Sequence, residues 1–258
     1  VQAPQEYIEK YMGVYDAGWD SLRNQRLERA VELGIVPPDT AMVDMATTDD
    51  WDALDAQRKR YEAKRMAVYA GMIEAMDFQI GRLLDNIPES EKDNTVIIFI
   101  GDNGTPNQVA QSPYTKSTVK NTLYQGGINV PLFVSGSLVS RTGIDNNLIV
   151  STDLFATIAE IAGVSTNEIH DSKSFKSLLT QSITLRNYQY AELVDGTNEL
   201  WTLSNGDYKL IVNSNGTEEM YHLVNDPYET NDLMKGTLSA NEQSVKLELE
   251  TEVSNIRQ

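Results

Sequence analysis

The sequence contains no cysteine. Disulfides, thiolate-bound zinc and a cysteine nucleophile are therefore excluded within this chain. It also lacks any run near the roughly 20 apolar residues that a membrane-spanning helix needs, so we expect no membrane partner. The opening residues, VQAPQEY, have neither Met nor the basic-then-apolar order of a signal peptide. This start indicates a cut or processed chain and leaves the compartment unknown.

Basic residues are scarce, with 21 Lys and Arg against 38 Asp and Glu and a formal net charge of -17. Such a chain repels phosphate backbones, so we expect no nucleic-acid partner. It also repels small anions unless a cation or a local Lys or Arg reverses the field. The 258 residues suffice for one α/β domain plus a smaller one.

The first part of the chain predicts an α/β body. Apolar residues three and four positions apart from Met66 to Ile87 predict a long helix over about 52–87, with this stripe facing the core. NTVIIFI at 94–100 and VPLFVSG at 130–136 are continuous apolar runs, typical of strands buried on both faces as in parallel sheets. STDLFATIAEIAGV at 151–164 predicts a helix capped by its Ser or Thr.

The pattern changes near residue 185. Four short strand candidates follow, separated by DGTN, SNGD and SNGT, in which Asn or Asp before Gly indicates hairpin turns. They predict a four-stranded antiparallel sheet covered by a last helix over about 239–256. We therefore divide the chain into an α/β part at 1–185 and a small α+β subdomain at 186–258.

FIGDNGT at 99–105 ends an apolar strand on an acid and an amide between glycines. Asp-Asn-Gly is a common turn string. Ligands of open α/β sheets, however, bind beyond the carboxyl ends of strands. Asp102 and Asn103 offer hard oxygen donors that suit Ca²⁺ or Mg²⁺, and Gly101 and Gly104 would let the backbone approach an ion. The loop is therefore either a turn or half of a metal site.

KNTLYQGGINVP at 120–131 precedes the second strand. Its glycines fit a turn or bulge, and a lone lysine is ordinarily solvated. Lys120 and the DNG loop nevertheless follow two successive strand regions, so both could converge on one cleft. A cation and a lysine there would supply the positive field that an acidic protein needs to hold an anion.

Four motifs in order resemble the sulfatase family, in its bacterial arylsulfatase type: GDNG after a buried strand, K-x-x-x-Y-x-G-G-x-x-x-P, STDLFATIAEIAG and MYHLVNDPYETNDL. The opening residues are similar to a stretch that lies upstream in those enzymes. The resemblance implies the C-terminal portion of an alkaline-phosphatase-like mixed sheet flanked by helices. It also implies a periplasmic or secreted protein that hydrolyses small-molecule or saccharide sulfate esters.

The resemblance implies functional roles for three residues of this chain. Asp102 and Asn103 match the late pair of calcium ligands, and Lys120 matches the lysine that contacts the sulfate group. In the family the nucleophile is a formylglycine made from the Cys or Ser of a C/S-x-P-x-R motif. That motif is missing here, as are the early acidic ligands and the catalytic histidines. We therefore expect a missing N-terminal half, and no turnover by this chain alone.

Other departures concern single residues. Gln125 stands where the family commonly has Glu, and Asn129 where it commonly has Arg. We expect His170 and His222 to be structural or solvated, and Lys120 to pair with Asp102 when no cation is present.

Two alternative functions stay open. One is a phosphate or phosphonate ester hydrolase of the same superfamily, although many of those carry His where Asn103 stands. The other is a non-catalytic binding module.

Overall fold

The structure is a computed structural model that describes residues 2–34, 38, 51–107, 110, 114–166 and 170–257. The chain forms two compact units, Val1–Glu91 and Lys92–Gln258. Residues 35–37 and 39–50 of the opening stretch lie outside the described residues.

Three helices make up most of the first unit: α1 (Gln5–Lys10), α2 (Gly18–Glu32) and α3 (Ala56–Asp85). The long helix begins at Ala56 because Asp55 caps it, accepting the backbone N–H groups of Gln57 at 2.8 Å and Arg58 at 2.7 Å. Capping groups of this kind satisfy N–H groups that have no partner inside the helix. The predicted long helix is thus present and is shorter at both ends.

The predicted burial of this helix is wrong. Its buried residues are small ones, Ala63, Ala67 and Gly71, and a Cβ on Gly71 would lie 3.1 Å from the backbone nitrogen of Ile8 in α1. The larger apolar residues lie on the opposite face and are exposed by 43 to 69%: Tyr69 43%, Ile73 49%, Met76 49%, Leu83 69%. Close approach of α1 requires small side chains, so the large ones face away from it.

The second unit begins with a two-stranded sheet. A short helix, α4 (Glu89–Lys92), precedes β1 (Val96–Ile100); another, α5 (Gln125–Ile128), precedes β2 (Leu132–Gly136). The two strands pair antiparallel, with Ile98 opposite Val134 in the register.

The prediction that these strands are buried on both faces, as in a parallel sheet, is wrong for this chain. Their pairing is antiparallel, Phe99 is 41% exposed and Phe133 is 64% exposed. Within the described residues this sheet has only these two strands, so its apolar side chains lack neighbours on further strands.

The helix that carries the third motif, α6 (Asp153–Ile161), is capped differently from the prediction. Thr152 is at the N-cap but its side chain accepts no capping hydrogen bond. The fully buried Asp153 instead accepts the N–H groups of Val150 at 3.0 Å and Lys173 at 2.7 Å and pairs with Arg186. The apolar face is largely exposed, with Ile158 at 54%.

The predicted C-terminal architecture is confirmed. Four strands form an antiparallel sheet in sequence order, followed by a helix: β3 (Gln189–Asp195), β4 (Asn198–Ser204), β5 (Tyr208–Val212), β6 (Glu218–His222) and α7 (Ala240–Ile256). The hairpin turns contain Gly196, Gly206 and Gly216, each at positive φ, a conformation that glycine adopts without steric cost.

Both faces of this sheet are covered. On one face Leu203, Leu210 and Met220 contact Leu249 and Val253 of α7. On the other face Ile211, Tyr221 and Leu223 contact Leu123, which precedes α5. The C-terminal sheet therefore packs against the segment that carries Lys120.

The boundary that we place at residue 185 stays a prediction. The compact units divide between Glu91 and Lys92. The antiparallel sheet begins shortly after residue 185, at Gln189, within the second unit.

Candidate active site

The DNG loop leaves β1 directly. Gly101 donates its N–H to the carbonyl of Pro131 at 3.0 Å, which extends the pairing with the second strand. Asp102 and Asn103 follow and are exposed. Oδ1 of Asp102 accepts the backbone N–H of Asn103 at 2.9 Å and its side-chain Nδ2 at 3.0 Å. The two residues thus form a local turn held by their own hydrogen bonds.

Lys120 lies beside this loop through the backbone. Its N–H donates to the carbonyl of Thr105 at 3.0 Å, and the N–H of Gly104 donates to the carbonyl of Gly127 at 2.9 Å. Lys120 itself is half-buried. The predicted ion pair with Asp102 is not formed in the described part of the chain. The structure therefore brings the two motifs together, and a shared cation and anion site stays a prediction.

Gly104 has a different role from the one we predicted. A Cβ at this position would lie 1.8 Å from the carbonyl oxygen of Gly126. Cβ atoms on Gly126 and Gly127 would lie 2.4 Å from Thr118 O and 2.3 Å from Thr122 O. These glycines permit backbone to lie against backbone, which holds the DNG loop against the turn around Lys120.

Tyr124 ties this turn to the C-terminal sheet. Its hydroxyl donates to Oε2 of Glu219 on β6 at 2.6 Å, and Tyr221 donates to the same oxygen at 2.5 Å. Burial and the bond to Glu219 raise the pKa of both tyrosines well above the ordinary value. Burial alone would raise the pKa of Glu219, but the hydrogen bonds from Tyr124, Tyr221 and Asn213 lower it.

A second tie is a buried ion pair that sequence reasoning missed. Lys209 of β5 contacts Glu229, and Glu229 also accepts the backbone N–H of Gln125. Burial lowers the pKa of Lys209 and raises that of Glu229, and each partner opposes the shift of the other. A signal was available: in YKLIV, Lys209 alternates with Ile211, so strand periodicity places both on one face.

His222 contacts residues outside the DNG loop and the turn around Lys120. The His222 ring packs edge-on against Tyr208, with centroids 4.4 Å apart, and its Nδ1 accepts the N–H of Asn225 at 3.2 Å. His170 lies in a turn with φ 50°. These environments agree with the structural role that we predicted for His222.

Asp102 and Asn103 offer the kind of oxygen ligand that calcium prefers, but two ligands are too few for a complete calcium site. Asp102 and Asn103 provide a carboxylate and an amide oxygen, and calcium takes about six to eight oxygens. Among the residues that the structure describes, no three acidic or histidine side chains gather into a group that could hold a metal ion. If these residues bind calcium, most of the ligands come from elsewhere.

An open groove of about 1320 Å³ in the second unit is lined in part by Gln125 of the turn around Lys120. Residues of the loops around Arg141 and Arg186 and of the hairpin at Gly206 line it, whereas Asp102, Asn103 and Lys120 do not. Volume alone therefore does not locate the candidate site. In the described ranges no helix is both long and apolar enough to cross a bilayer.

Comparisons with known proteins identify the class. The sulfatase family model matches residues 1–164, and a model described as N-sulphoglucosamine sulphohydrolase, C-terminal, matches residues 118–258. The chain belongs to the sulfatase family, as its motifs predict. It is 31% identical over 207 residues to an arylsulfatase of Klebsiella aerogenes, and the match covers 65% of this chain and 44% of that protein. The chain thus spans less than half the length of this relative.

Solved structures share the fold. A protein in complex with its substrate D-glucosamine-2-N,6-O-disulfate matches with a TM-score of 0.63 at 22% identity, over 80% of this chain and 43% of that one. A phosphonate monoester hydrolase of Agrobacterium radiobacter matches with a TM-score of 0.58 at 20% identity, over 77% and 42%. The chain therefore has part of the alkaline-phosphatase-like α/β fold, as predicted.

Proposed function

We propose that the protein containing this chain hydrolyses sulfate esters, and that this chain contributes Lys120 and two calcium ligands, Asp102 and Asn103. The observation that carries the proposal is the pair of backbone hydrogen bonds joining the two motifs, from Lys120 to Thr105 and from Gly104 to Gly127. Membership of the sulfatase family supports the reaction class. A formylglycine nucleophile would come from a part of the protein upstream of this chain.

Lys120 would act on the charge of the sulfate group. A fixed ammonium stabilises negative charge that develops on the sulfuryl oxygens as the ester bond breaks. It also provides local attraction for an anion in a chain of net charge -17. When bound, calcium would polarise the sulfuryl group and lower the pKa of the attacking hydroxyl. Asn103 would have to present its amide oxygen to the ion, whereas its amide nitrogen now donates to Asp102.

The substrate class that we propose is a small-molecule or saccharide sulfate ester. One solved neighbour binds a sulfated glucosamine, which supports a saccharide. A phosphonate ester is the alternative, supported by the phosphonate monoester hydrolase among the neighbours. We favour sulfate because the amide oxygen of Asn103 suits calcium, whereas imidazole at this position suits Zn²⁺ or Mn²⁺. A periplasmic or secreted location follows from the same resemblance.

We further propose that an N-terminal half of the same protein completes the fold. The chain covers 44% of its arylsulfatase relative. It also exposes apolar side chains that a complete domain would bury, including Ile73 and Met76 of α3 and Phe133 of β2. Exposed apolar side chains on each unit are what we expect where another part of the protein packs against it.

Activity tests the proposal directly. We expect this chain alone to hydrolyse no aryl sulfate above background, and the chain joined to its upstream coding sequence to do so. In the joined protein, Lys120→Ala should lower kcat/KM by about 10² to 10³, the usual loss for one group that stabilises transition-state charge. Lys116→Ala, an exposed lysine of the same loop, is the matched control and should change the rate little.

Three outcomes would contradict this proposal. Faster turnover of an aryl phosphonate than of the aryl sulfate would favour the alternative hydrolase. Binding of a sulfated saccharide without turnover by the joined protein would favour the binding module. Equal losses for Lys116→Ala and Lys120→Ala would remove the assigned role of Lys120.

Calcium provides a separate expectation. With two protein oxygens in place of about six to eight, this chain should bind Ca²⁺ so weakly that about 1 mM calcium leaves its Tm unchanged. The joined protein should gain a calcium-dependent rise in Tm, which Asp102→Ala should abolish. Differential scanning fluorimetry with Mg²⁺ as the control ion measures both. A calcium-dependent rise in this chain alone would show that we have missed ligands within it.

A further inference from the structure

Lys209 and Glu229 form an ion pair with almost no access to water. The side chain of Lys209 is 2% exposed, that of Glu229 is 0% exposed, and Nζ lies 2.5 Å from Oε1. Removing two charges from water costs more than their attraction returns unless other hydrogen bonds use the remaining lone pairs. The group that hydrogen-bonds to the second carboxylate oxygen of Glu229 therefore indicates the role of the ion pair.

That partner belongs to the turn around Lys120. Oε2 of Glu229 accepts the backbone N–H of Gln125 at 2.5 Å. Gln125 follows Tyr124 and lies five positions after Lys120. One carboxylate thus joins the middle of the C-terminal sheet to the backbone of this turn.

The loop that carries Glu229 is held so that this side chain faces inward. The backbone of Glu229 is left-handed, at φ 57°, which is uncommon for any residue other than glycine. Asp226 braces the loop, because its carboxylate accepts the N–H groups of Thr230 at 3.0 Å and Asn231 at 2.8 Å. An uncommon backbone conformation maintained by such contacts points to a role for the side chain that it places.

The far side of the same turn contacts the DNG loop. Gly127 accepts the N–H of Gly104 at 2.9 Å, and Lys120 donates its own N–H to Thr105 at 3.0 Å. A continuous series of contacts therefore runs from Lys209 through Glu229 and Gln125 to the residues beside Asp102.

We propose that Lys209 and Glu229 are positioning residues for Lys120: the buried pair presents a carboxylate that fixes the Gln125 N–H and thereby holds the turn of residues 118–128 against the DNG loop. The importance of this placement for catalysis rests on the proposed function of Lys120. The placement itself can be measured in this chain without any activity.

Two double variants separate positioning from stability. Lys209→Met with Glu229→Leu replaces the pair by apolar groups of similar size, which often preserves stability, and removes the acceptor for Gln125. Lys209→Met with Glu229→Gln removes the charges but keeps a carbonyl oxygen that can accept that N–H. Lys246→Met with Glu218→Gln is the control, because this ion pair, 2.8 Å long, joins α7 to the same sheet.

Amide hydrogen exchange, followed residue by residue by NMR, is the measurement. In the Leu-containing variant the amides of Gly104, Lys120 and Gln125 should exchange about 10²-fold faster, while the slowest amides of β5 change less than about threefold. The Gln-containing variant should restore most of the protection at Gln125. The Lys246 and Glu218 control should leave all three reporter amides unchanged.

Selective loss of exchange protection at the amides of Gly104, Lys120 and Gln125 supports the proposal. Restored protection of the Gln125 amide in the Gln-containing variant supports it as well. Unchanged protection at Gln125, or equal acceleration throughout the sheet, would overturn it. If the double variants do not fold, a measurement on the wild-type chain tests the proposal instead. A coupling across the hydrogen bond between the Gln125 nitrogen and the Glu229 carboxyl carbon is expected, and an exposed, fast-exchanging Gln125 amide would overturn the proposal.

The joined protein links positioning to catalysis. The Leu-containing variant should lower kcat by about 10², with KM changed less than about threefold, because a misplacement near 1 Å costs that much in rate. The Gln-containing variant should recover most of kcat. A wild-type joined protein with no activity would end the proposed function but leave the exchange result standing. Full kcat in the Leu-containing variant would overturn the positioning role.

Discussion

Replacing Lys209 by alanine is expected to lower the free energy of unfolding of the second unit by about 3 to 5 kcal/mol, because it leaves the carboxylate of Glu229 buried without its cation. The Glu229 side chain is 0% exposed, so bulk water does not solvate its carboxylate. The free energy is measured from the hydrogen exchange of the most protected amides of β4 and β5, which report opening of this unit.

Lys235→Ala is the matched control for this expectation. Lys235 is also close to an acid, with Nζ 4.0 Å from Asp232, but its side chain is 82% exposed. Such surface pairs contribute about 0 to 1 kcal/mol. A loss below about 1 kcal/mol for Lys209→Ala, equal to the control, would mean that the pair is more accessible to water than its burial indicates.

Replacing Gly104 by alanine is expected to cost about 3 kcal/mol and to separate the DNG loop from the turn around Lys120. The added Cβ would lie 1.8 Å from the carbonyl oxygen of Gly126, and neither atom belongs to a flexible side chain that could move aside. Overpacking of this kind commonly costs about 1 to 3 kcal/mol or more. The hydrogen bond from Gly104 to Gly127 would be lost as well.

Gly236→Ala distinguishes a steric effect from a general effect of added bulk. Its φ is -111°, and the nearest atom to an added Cβ is 3.7 Å away, which is ordinary contact. This control should change the free energy of unfolding by less than about 0.5 kcal/mol. If Gly104→Ala is equally mild and the Lys120 amide keeps its protection, the two backbone segments are not in direct contact.

Local patterns predicted the C-terminal sheet well. Asn-Gly turns and short alternating strands specify hairpins within a few residues of sequence, so β3–β6 and α7 could be predicted without knowledge of distant contacts. The motif order identified the family. These predictions succeeded because each depends on a short stretch of chain.

Burial and pairing could not be predicted in the same way. Periodicity shows that Ile73 and Met76 share a face of α3, but it does not show which face a neighbour covers. Here Gly71, on the opposite face, lies against α1. The antiparallel pairing of β1 depends on a strand more than 30 positions away. Lys209 and Glu229 are residue types that usually lie at the protein surface. Only the fold brings them together as a buried pair.

The glycines show the same limit. In the sequence, Gly104 is compatible with a turn, an ion or a close contact, and nothing nearby in the chain chooses among these. The choice depends on Gly126, which lies 22 positions later. The role of Gly104 therefore depends on a residue distant in the sequence. The neighbouring residues predict only that the strand ends there.

The attachment of the Lys120 turn to the C-terminal sheet has a consequence for engineering chimeras. A crossover at residue 185 between two members of this family would exchange Glu219 and Glu229 but leave Tyr124 and Gln125 behind. A foreign sheet would therefore have to offer both acceptors in the same positions, or the transplanted turn would lose its two anchors. The unit of exchange is the sheet together with residues 118–128, although some sixty positions separate them in the chain.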